Sequence, residues 1–426
     1  MTPSASRDEL YQRAAAILEL NDRGHYTVPT SGLYPFQWNW DSCLVALGQQ
    51  QIDEQRAWTE ITTLFEHQWD DGMVPHIIFH ELDDGYFPGP DVWATGRQTP
   101  TTGITQPAVA GFAAARLFER ARDKDLAIEK AMSLLLAIDR WHEWFYRCRD
   151  PQATGLVAII HPWEAGRDNS IDWDDALEAV PTDNLEPYQR RDLQHAHADH
   201  RPTMAQYDRY ISLVQCFRDL NWKNDLLHDA SPFRIVDPGF NAILIRSCSE
   251  LATLADALGE PAVAERNRQR AAAGLAAMDS LWSEKLNQYA CFDRVANCMV
   301  NSASVGGLLP VFANIPGRKA AALAERIEAL TSQVNYLVPS HDPADPRYDG
   351  KRYWRGPAWL IINYMIADGL VRAGHRDLSL RIETSSLELI QESGFAEYYD
   401  PNSGGACGGS TFTWTAAMVM EIVRAS

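Results

Sequence analysis

Amphipathic helices joined by glycine-containing turns are the feature that most restricts how this sequence can fold. A capping box, Ser6-x-x-Glu9, precedes the first apolar helical stripe. Gly48, Gly259 and Gly374 each follow an apolar helical stretch and precede polar residues and a new helix. Glycine at that place supplies the left-handed turn that ends a helix. About a dozen helices in antiparallel pairs predict an all-α fold, a closed double ring or (α/α)6 barrel, with an open α-solenoid as the alternative.

The predicted helices alternate with long segments rich in Pro, Gly, Asp and aromatic residues. Beyond the first helix, helical patterns cover 39–48, 54–69, 105–121, 125–147, 204–220, 238–258, 261–283, 302–313, 316–332, 357–373, 376–393 and 411–425. The intervening segments are 22–38, 70–104, 149–203, 284–301, 334–356 and 394–410. Structureless segments of that length are usually functional. The sequence therefore predicts one domain over residues 1–426, with 70–104 and 149–203 as active-site loops.

The charge and cysteine content exclude several classes of function. The net charge of −19, from 57 acidic and 38 basic residues, argues against nucleic acid and anionic membranes as partners. An anionic substrate would need local Arg, Lys or amide donors. Seven irregularly spaced Cys indicate free thiols in a reducing compartment. The N-terminus has no apolar signal region and no run is long enough to span a membrane. We expect a cytoplasmic protein without a cofactor or metal.

Two distant carboxylates lie in segments with the composition of a sugar-cleaving site. The stretch from His161 to Ser170 contains Trp163, which can stack on a sugar, Arg167, which can bind an anion, and Asp168. Glu397 lies in Phe-Ala-Glu-Tyr-Tyr-Asp far along the chain. Glycoside hydrolysis uses one carboxyl group as general acid and another to activate water or attack the sugar. The alternative is that Asp168 caps a helix near Ser170 and Glu397 is a surface residue.

Two further aromatic–polar segments each lead into a predicted helix. The segment 34–41 reads Tyr-Pro-Phe-Gln-Trp-Asn-Trp-Asp, which can offer ring faces and polar groups to a sugar. An aromatic helix start with Asp in the first turn is the structural alternative. The segment 353–359 reads Tyr-Trp-Arg-Gly-Pro-Ala-Trp. Its Arg355 is either an anion clamp or a buried arginine paired with a carboxylate.

Other polar clusters are poorer candidates. His195, His197, Asp199 and His200 do not match a closed zinc pattern, so a polar loop is preferred over a metal site. Asp172, Asp174 and Asp175 lack the spacing of an EF-hand loop and are expected at a solvated helix start. The glycine-rich stretch 404–410 has no lysine that would make it a phosphate loop, and its Cys407 has no evident histidine partner. It is expected to form a flexible rim beside Glu397.

Seven ordered motifs resemble glycoside hydrolase family 63, in its short branch of mannosylglycerate and glucosylglycerate hydrolases. They are YPFQWNWDS, GITQP at 103–107, HPWEAGRDNS, RPTMAQYDRY at 201–210, DPGFN at 237–241, YWRGPAW, and FAEYYDP followed by TFTWTAA. The resemblance runs from about residue 25 to the C-terminus. It implies an (α/α)6 barrel and an inverting mechanism.

The same resemblance implies roles for individual residues. By motif position, Asp168 corresponds to the general acid and Glu397 to the general base. Tyr86 corresponds to a mobile-loop residue that closes on glycerate. The positions where the family contacts the sugar are Tyr34, Trp38, Trp40, Asp41, Gln106, Tyr353 and Trp354. The full set of predicted substrate-binding residues also includes Trp163, Arg167, Tyr207 and Trp359. The segment before Phe412 is Gly-Gly-Ser-Thr and lacks a long amide side chain, which would alter glycerate recognition if the family uses such a group there.

The sequence thus predicts an inverting hydrolase that cleaves the α-glycosidic bond of glucosylglycerate, mannosylglycerate or both, releasing hexose and D-glycerate. One alternative is an α-glucosidase or trehalase-like hydrolase of an oligosaccharide. Another is a sugar epimerase that uses His195 or His197, and a third is a non-catalytic helical scaffold. The expected partner is a small sugar-glycerate molecule, with a homo-oligomer possible. The sequence leaves open whether the sugar is glucosyl or mannosyl.

Overall fold

Fifteen α-helices make up most of the part of the chain that the computed structural model describes, residues 6–83, 85–190 and 200–425. They are α1 (Arg7–Asn21), α2 (Asn39–Ile52), α3 (Glu54–Glu66), α4 (Pro90–Trp93), α5 (Ala110–Arg120), α6 (Lys124–Cys148), α7 (Asp174–Glu178), α8 (Met204–Asp219), α9 (Asn224–Ala230), α10 (Pro238–Ala257), α11 (Pro261–Met278), α12 (Gly317–Leu330), α13 (Leu360–Arg372), α14 (Arg376–Ser393) and α15 (Thr413–Ala425). A 3₁₀ helix at Leu309–Ala313 completes the elements that form the ring.

Six of these elements form a closed inner ring. Going around it, α2 packs on α5, α5 on α10, α10 on the 3₁₀ helix 309–313, that helix on α13, α13 on α15, and α15 back on α2. Inner elements are buried on nearly all sides. In α2 every residue from Asn39 to Gln50 is buried, which is the pattern of a helix surrounded by protein. Gly48 permits the closing contact, because a Cβ there would lie 2.9 Å from Cα of Ala417 in α15.

Outer helices pack against the ring, four of them beside the inner helix that precedes them in sequence and α1 beside α15 from the other end of the chain. The pairs are α2 with α3, α5 with α6, α10 with α11, α13 with α14 and α15 with α1. These outer helices bury one face only; α3, for example, buries Ala57, Trp58, Ile61, Leu64 and Phe65. Closure of the inner ring confirms the predicted (α/α)6 barrel and rules out the open solenoid.

Most predicted helices are present with small changes at their ends. The first helix has Ser6 as its N-cap, whose side chain accepts a hydrogen bond from the Glu9 backbone.

Three predictions were wrong. Gly48 lies inside α2, which continues to Ile52, so it does not end that helix, whereas Gly259 and Gly374 have the positive φ expected of a helix-ending glycine. The range 302–313 contains two short 3₁₀ helices instead of an α-helix. Helix α5 begins at Ala110 and not near 105, because residues 105–109 have no regular secondary structure and Pro107 disfavours a helical conformation in the residue before it.

Small antiparallel sheets, which the sequence did not predict, hold the long inter-helix segments together. The strands are β1 (Gln37–Trp38), β2 (Ile77–Ile78), β3 (Ile235–Val236), β4 (Trp282–Ser283), β5 (Gln288–Tyr289), β6 (Phe292–Asp293), β7 (Cys298–Met299), β8 (Tyr398–Tyr399) and β9 (Ala406–Cys407). Strand β1 pairs with β2, and β8 pairs with β9. These pairings fix the segments that carry Trp38 and Glu397.

No helix in the described ranges is both long enough and apolar enough to cross a bilayer. All seven cysteines are free thiols.

Candidate active site

A deep cavity lies over one end of the ring, where the N-terminal ends of two inner helices meet the long loops. Trp40 and Asp41 enter it from the start of α2, and Trp414 enters from the start of α15. Residues from 70–104 and from the segment 149–203 line other sides. The space within the cavity and its open mouth is about 940 Å³.

The segment around Asp168 is fixed by hydrogen bonds, so that its carboxyl group points into the cavity. Gly166 ends the 3₁₀ helix Pro162–Ala165 with φ +67°, and a Cβ there would lie 2.6 Å from the Trp40 ring. The hydroxyl of Tyr210 donates to the Asp168 carbonyl oxygen at 2.9 Å. Only Asp168 in the run from His161 to Trp173 is partly exposed, and it lines the cavity. The helix-capping alternative is wrong, because the Ser170 side chain caps the next 3₁₀ helix.

Glu397 faces the same cavity from the loop before β8. Its side chain is fully buried and accepts hydrogen bonds from the Tyr34 hydroxyl at 3.1 Å and from the Gly409 backbone at 3.0 Å. The Tyr34 hydroxyl lies 3.2 Å from that of Tyr353 and accepts a hydrogen bond from Arg201 at 3.0 Å. The alternative that Glu397 is a surface residue is therefore wrong.

The two carboxyl groups have different electrostatic surroundings. Burial raises the pKa of Asp168 to about 7, with Glu397 adding to the rise and Arg201 opposing it. Burial also raises the pKa of Glu397, but Arg201, the Gly409 N–H and the two tyrosine hydroxyls all act to lower it. Hydrogen bonds to the charged form keep a carboxylate ionised. Asp168 is therefore suited to carry a proton near neutral pH, and Glu397 to accept one.

Aromatic rings form the walls of the cavity. Trp38 lies edge-on to Tyr34, with ring centroids 5.2 Å apart, and to His76, at 4.7 Å. Trp163 packs against Tyr207 and Tyr210. Flat apolar faces beside a few polar groups are the usual way to hold a sugar ring, whose own faces are apolar and whose rim carries hydroxyls.

Most residues predicted from sequence lie together in this cavity. Its lining includes Tyr34, Trp38, Trp40, Asp41, Tyr86, Gln106, Trp163, Asp168, Tyr207, Tyr353 and Glu397. Burial raises the pKa of Asp41 well above its usual range, with Glu397 and Asp168 contributing. Gln106 accepts a hydrogen bond from the Trp40 backbone.

Three predicted substrate-binding residues lie behind the cavity wall instead. Arg167 is buried and paired with Asp172 at 3.1 Å and Asp237 at 2.9 Å, so its charge is already matched by protein carboxylates. Trp354 and Trp359 stack on each other with centroids 3.8 Å apart and are almost completely buried. Their positions are those of residues that support the wall, and the prediction of direct contact is corrected for all three.

Other predictions about polar residues have mixed outcomes. Arg355 pairs with Asp174 at 2.7 Å, which agrees with the alternative that it is a buried arginine paired with a carboxylate. Asp172 is buried beside Arg167, so the expected solvated helix start is wrong for this residue. His195, His197 and Asp199 lie outside the described residues, whereas His200 lies within them. In the described ranges no three His, Cys, Asp or Glu side chains are grouped to hold a metal ion.

Sequence reasoning missed several residues that line the cavity, above all Arg201. Its guanidinium lies over the Tyr353 ring at 4.5 Å, and no other Lys or Arg is among the described lining residues. The signal was present, because Arg201 begins the motif at 201–210. His76, Trp93, Phe412 and Trp414 were also missed as lining residues. Phe412 and Trp414 belong to the TFTWTAA motif.

Comparison with known proteins gives one consistent family. The family described as the mannosylglycerate hydrolase MGH1-like glycoside hydrolase domain matches residues 34–415. Mannosylglycerate hydrolase MGH1 of Selaginella moellendorffii is 46% identical over 406 residues, covering 95% of this chain and 83% of that protein. Glucosylglycerate hydrolase of Mycolicibacterium hassiacum is 31% identical, covering 98% of each chain.

A solved structure agrees with these relatives. The crystal structure of GH63 mannosylglycerate hydrolase from Thermus thermophilus in complex with Tris and D-glycerate superposes with a TM-score of 0.94. It is 42% identical and covers 98% of this chain and 100% of that chain. The match extends over the whole ring and its loops. The chain therefore belongs to the MGH1-like family of glycoside hydrolases, in the branch of glycoside hydrolase family 63 that its seven motifs indicated.

Proposed function

We propose that this enzyme hydrolyses the α-glycosidic bond of mannosylglycerate and glucosylglycerate, releasing hexose and D-glycerate with inversion at the anomeric carbon. The observation that carries the proposal is the pairing, in one aromatic cavity, of Asp168, whose pKa is about 7, with the buried Glu397. Relatives that align over nearly the whole chain are named mannosylglycerate and glucosylglycerate hydrolases. Together these observations favour the sugar-glycerate reaction over the trehalase-like, epimerase and scaffold alternatives.

The proposed reaction uses one water and moves two protons. Asp168 donates its proton to the glycosidic oxygen as the bond from that oxygen to the anomeric carbon breaks. Glu397 takes a proton from a water molecule that attacks the opposite face of the sugar. After glycerate leaves, Asp168 is ionised and Glu397 is protonated. Transfer of that proton to solvent and back to Asp168 restores the enzyme.

Arg201 is the group we assign to the glycerate carboxylate. The protein is strongly acidic and three carboxyl groups, those of Asp41, Asp168 and Glu397, line the cavity. An anionic substrate needs a cation to offset that field, and a guanidinium matches a carboxylate with two parallel hydrogen bonds. Arg201 also donates to Tyr34, which links the glycerate end to the base. The relative's structure with D-glycerate supports an acid-binding subsite in this fold.

Proton NMR of the reaction tests substrate and stereochemistry together. Purified enzyme is incubated with mannosylglycerate, glucosylglycerate, trehalose and the neutral glycerol glycoside of each hexose. The first-formed sugar from the sugar-glycerates should be the β-anomer. Appearance of the α-anomer first would contradict inversion, and faster cleavage of trehalose would contradict the substrate.

The neutral glycosides report on the glycerate subsite. We expect wild-type kcat/KM for the sugar-glycerates to exceed that for the glycerol glycosides by about 100-fold or more, because the neutral glycosides cannot form the charge-assisted hydrogen bonds to Arg201, which contribute roughly 1.5–3 kcal/mol. In Arg201→Met, which keeps much of the side-chain volume, this preference should fall to within a few-fold. An unchanged preference would contradict the assignment of Arg201.

We also propose that the enzyme acts in the cytoplasm on this small-molecule substrate. Free thiols at all seven cysteines, including the exposed Cys298, are typical of a reducing compartment. Size-exclusion chromatography with light scattering would test whether the chain self-associates.

A further inference from the structure

Asn169, the residue after Asp168, makes a direct connection between the acid and base sides of the cavity. Its side chain is 1% exposed, and its Oδ1 accepts a hydrogen bond from the Trp354 backbone N–H at 3.0 Å. The other side of the same peptide unit is also held, since the Trp359 indole donates to the Tyr353 carbonyl oxygen at 3.3 Å. The peptide bond between Tyr353 and Trp354 is therefore fixed by a hydrogen bond at each end.

This peptide needs fixing because Tyr353 has an unfavourable backbone conformation. Its φ is +36°, a region that L side chains rarely adopt and that costs about 1–3 kcal/mol unless the surroundings enforce it. Trp354 and Trp359, stacked on each other, add rigidity on the side away from the cavity. Without the Asn169 hydrogen bond, the buried Trp354 N–H would lose its acceptor and the strained conformation would lose one of its two anchors.

The strained conformation matters because it brings the Tyr353 hydroxyl to the base. That hydroxyl lies 3.2 Å from the Tyr34 hydroxyl, and both tyrosines lower the pKa of Glu397. Meanwhile the backbone on the acid side of Asn169 is anchored by Tyr210, which donates to the Asp168 carbonyl oxygen. One amide side chain thus joins the segment that aims the acid to the peptide that positions the partner of the base.

We propose that Asn169 is a positioning residue that sets the acid and base carboxyl groups relative to each other, through the Tyr353–Trp354 peptide. The inference rests on the proposed hydrolysis and deepens it. Asn169 acts through its neighbours and is not assigned a contact with the substrate. Its loss should therefore reduce the chemical step more than substrate binding.

The test compares Asn169→Leu, which keeps the volume and removes the acceptor, with Asn169→Asp, which keeps an oxygen at the same place. For Asn169→Leu we expect kcat to fall about 10- to 100-fold, because small misplacements of reacting groups have effects of that size. KM should stay within about 3-fold of the wild-type value. The acid limb of its kcat/KM profile should move to higher pH, because Glu397 loses the tyrosine hydroxyl that lowers its pKa. Asn169→Asp should recover part of kcat.

Asn267→Leu is the matched control. Asn267 is an equally buried amide that bonds to Asp139 and His142 between the outer helices α6 and α11, which do not line the cavity. We expect it to lower the melting temperature and to leave kcat and the pH limbs unchanged. A crystal structure of Asn169→Leu should show Tyr353 rotated out of the positive-φ region, which is a readout independent of activity.

The outcomes separate this inference from the proposed function. If wild type does not cleave either sugar-glycerate, the proposed function fails, while the Tyr353 conformation still tests the positioning role. If wild type is active and folded Asn169→Leu has the wild-type kcat and acid limb, the inference is overturned. Equal losses in Asn169→Leu and Asn267→Leu would also overturn it, because they would indicate a general effect of losing a buried amide.

Discussion

Asp168 and Glu397 line one cavity, but their neighbours differ in a way that suits them to the opposite tasks proposed for them. Asp168 lies where burial and the Glu397 charge both oppose ionisation, and the charge of Arg201 offsets only part of that effect. Glu397 accepts hydrogen bonds from Tyr34 and Gly409, which stabilise its charge. Catalytic acids and bases work best when their environments separate their pKa values in this way. At the level of single residues, the proposed assignment of acid and base rests on which carboxyl group has hydrogen-bond donors around it.

The pH dependence of the rate should report this difference. As pH rises through about 7, Asp168 loses the proton it must donate, so kcat/KM should fall. At acid pH kcat/KM should fall again as Glu397 becomes protonated, with its limb above the ordinary glutamate pKa because the Glu397 pKa is raised. Asp168→Asn and Glu397→Gln should each lose about 10²–10⁴-fold in kcat. Steady-state rates from pH 4 to 9 measure both limbs.

The control for these variants is Asp175→Asn, an exposed carboxylate in the same segment, whose rate and pH limbs should match wild type. A wild-type profile that stays flat between pH 6 and 9 would contradict the role given to Asp168. Retention of wild-type kcat by either neutralised variant would contradict the two-carboxylate mechanism.

Asp168 should also make the fold less stable at alkaline pH. Its pKa of about 7 in the folded state lies above the unfolded value of about 3.9, so it contributes stability that is fully present below the unfolded value and lost as pH rises through 7. Asp168→Asn removes this dependence. We expect the variant to melt about 1–3 °C above wild type at pH 8 and within about 1 °C at pH 4.5. Thermal unfolding of both proteins at pH 8 and pH 4.5 tests this prediction. The same difference in melting temperature at the two pH values would argue against a raised pKa for Asp168.

At the scale of elements, the helices were predictable and the connections between them were not. The 3.6-residue apolar period located α3, α6 and α12, because burial of one helix face leaves a periodic pattern in the sequence. Strands β1 and β2 have two residues each, too few to show any alternation. Their pairing depends on long-range contacts that a local pattern does not record.

The same limit applies to the site residues. Motif composition brought Tyr34, Asp168 and Glu397 into one hypothesis, and all three line the cavity. Arg167 was assigned to the substrate because an arginine beside Asp168 looks the same in sequence whether it points inward or outward. Its partners Asp172 and Asp237 are visible only in three dimensions. Arg201 was missed for the corresponding reason.

The turn at Gly166, which precedes Asp168 in the chain, gives a prediction at the scale of elements. In Gly166→Ala the new Cβ would lie 2.6 Å from the Trp40 ring and would also be strained at φ +67°. We expect kcat to fall about 10- to 100-fold, because Asp168 two residues later must shift. Gly24→Ala is the matched control, because Gly24 has a φ of +83° but nothing lies within 4 Å of a Cβ added there. Backbone strain should lower the melting temperature of this variant, and its kcat should equal that of wild type. Equal kcat in the two variants would contradict the aiming role of this turn.

At the scale of the whole molecule, ring closure connects stability to the cavity. Helices α2 and α15 come from opposite ends of the chain, and their contact completes the ring. Trp40 and Trp414 lie at the cavity ends of these two helices, with ring centroids 5.8 Å apart. A barrel that closes this way can place residues from both ends of the chain beside one substrate.

Gly48→Ala tests closure directly. The added Cβ would lie 2.9 Å from both Cα and Cβ of Ala417, so α2 and α15 must separate, at a cost of about 1–3 kcal/mol. Gly317→Ala, at the start of α12 with nothing within 4 Å of the added Cβ, should instead be neutral or more stable by up to about 1 kcal/mol. Urea unfolding measures both free energies. We expect the separation of α2 and α15 to shift Trp40 and Trp414 as well, so Gly48→Ala should also raise KM. Equal free energies of unfolding for Gly48→Ala and Gly317→Ala would contradict the prediction, because they would indicate that the ring tolerates an opening at this contact.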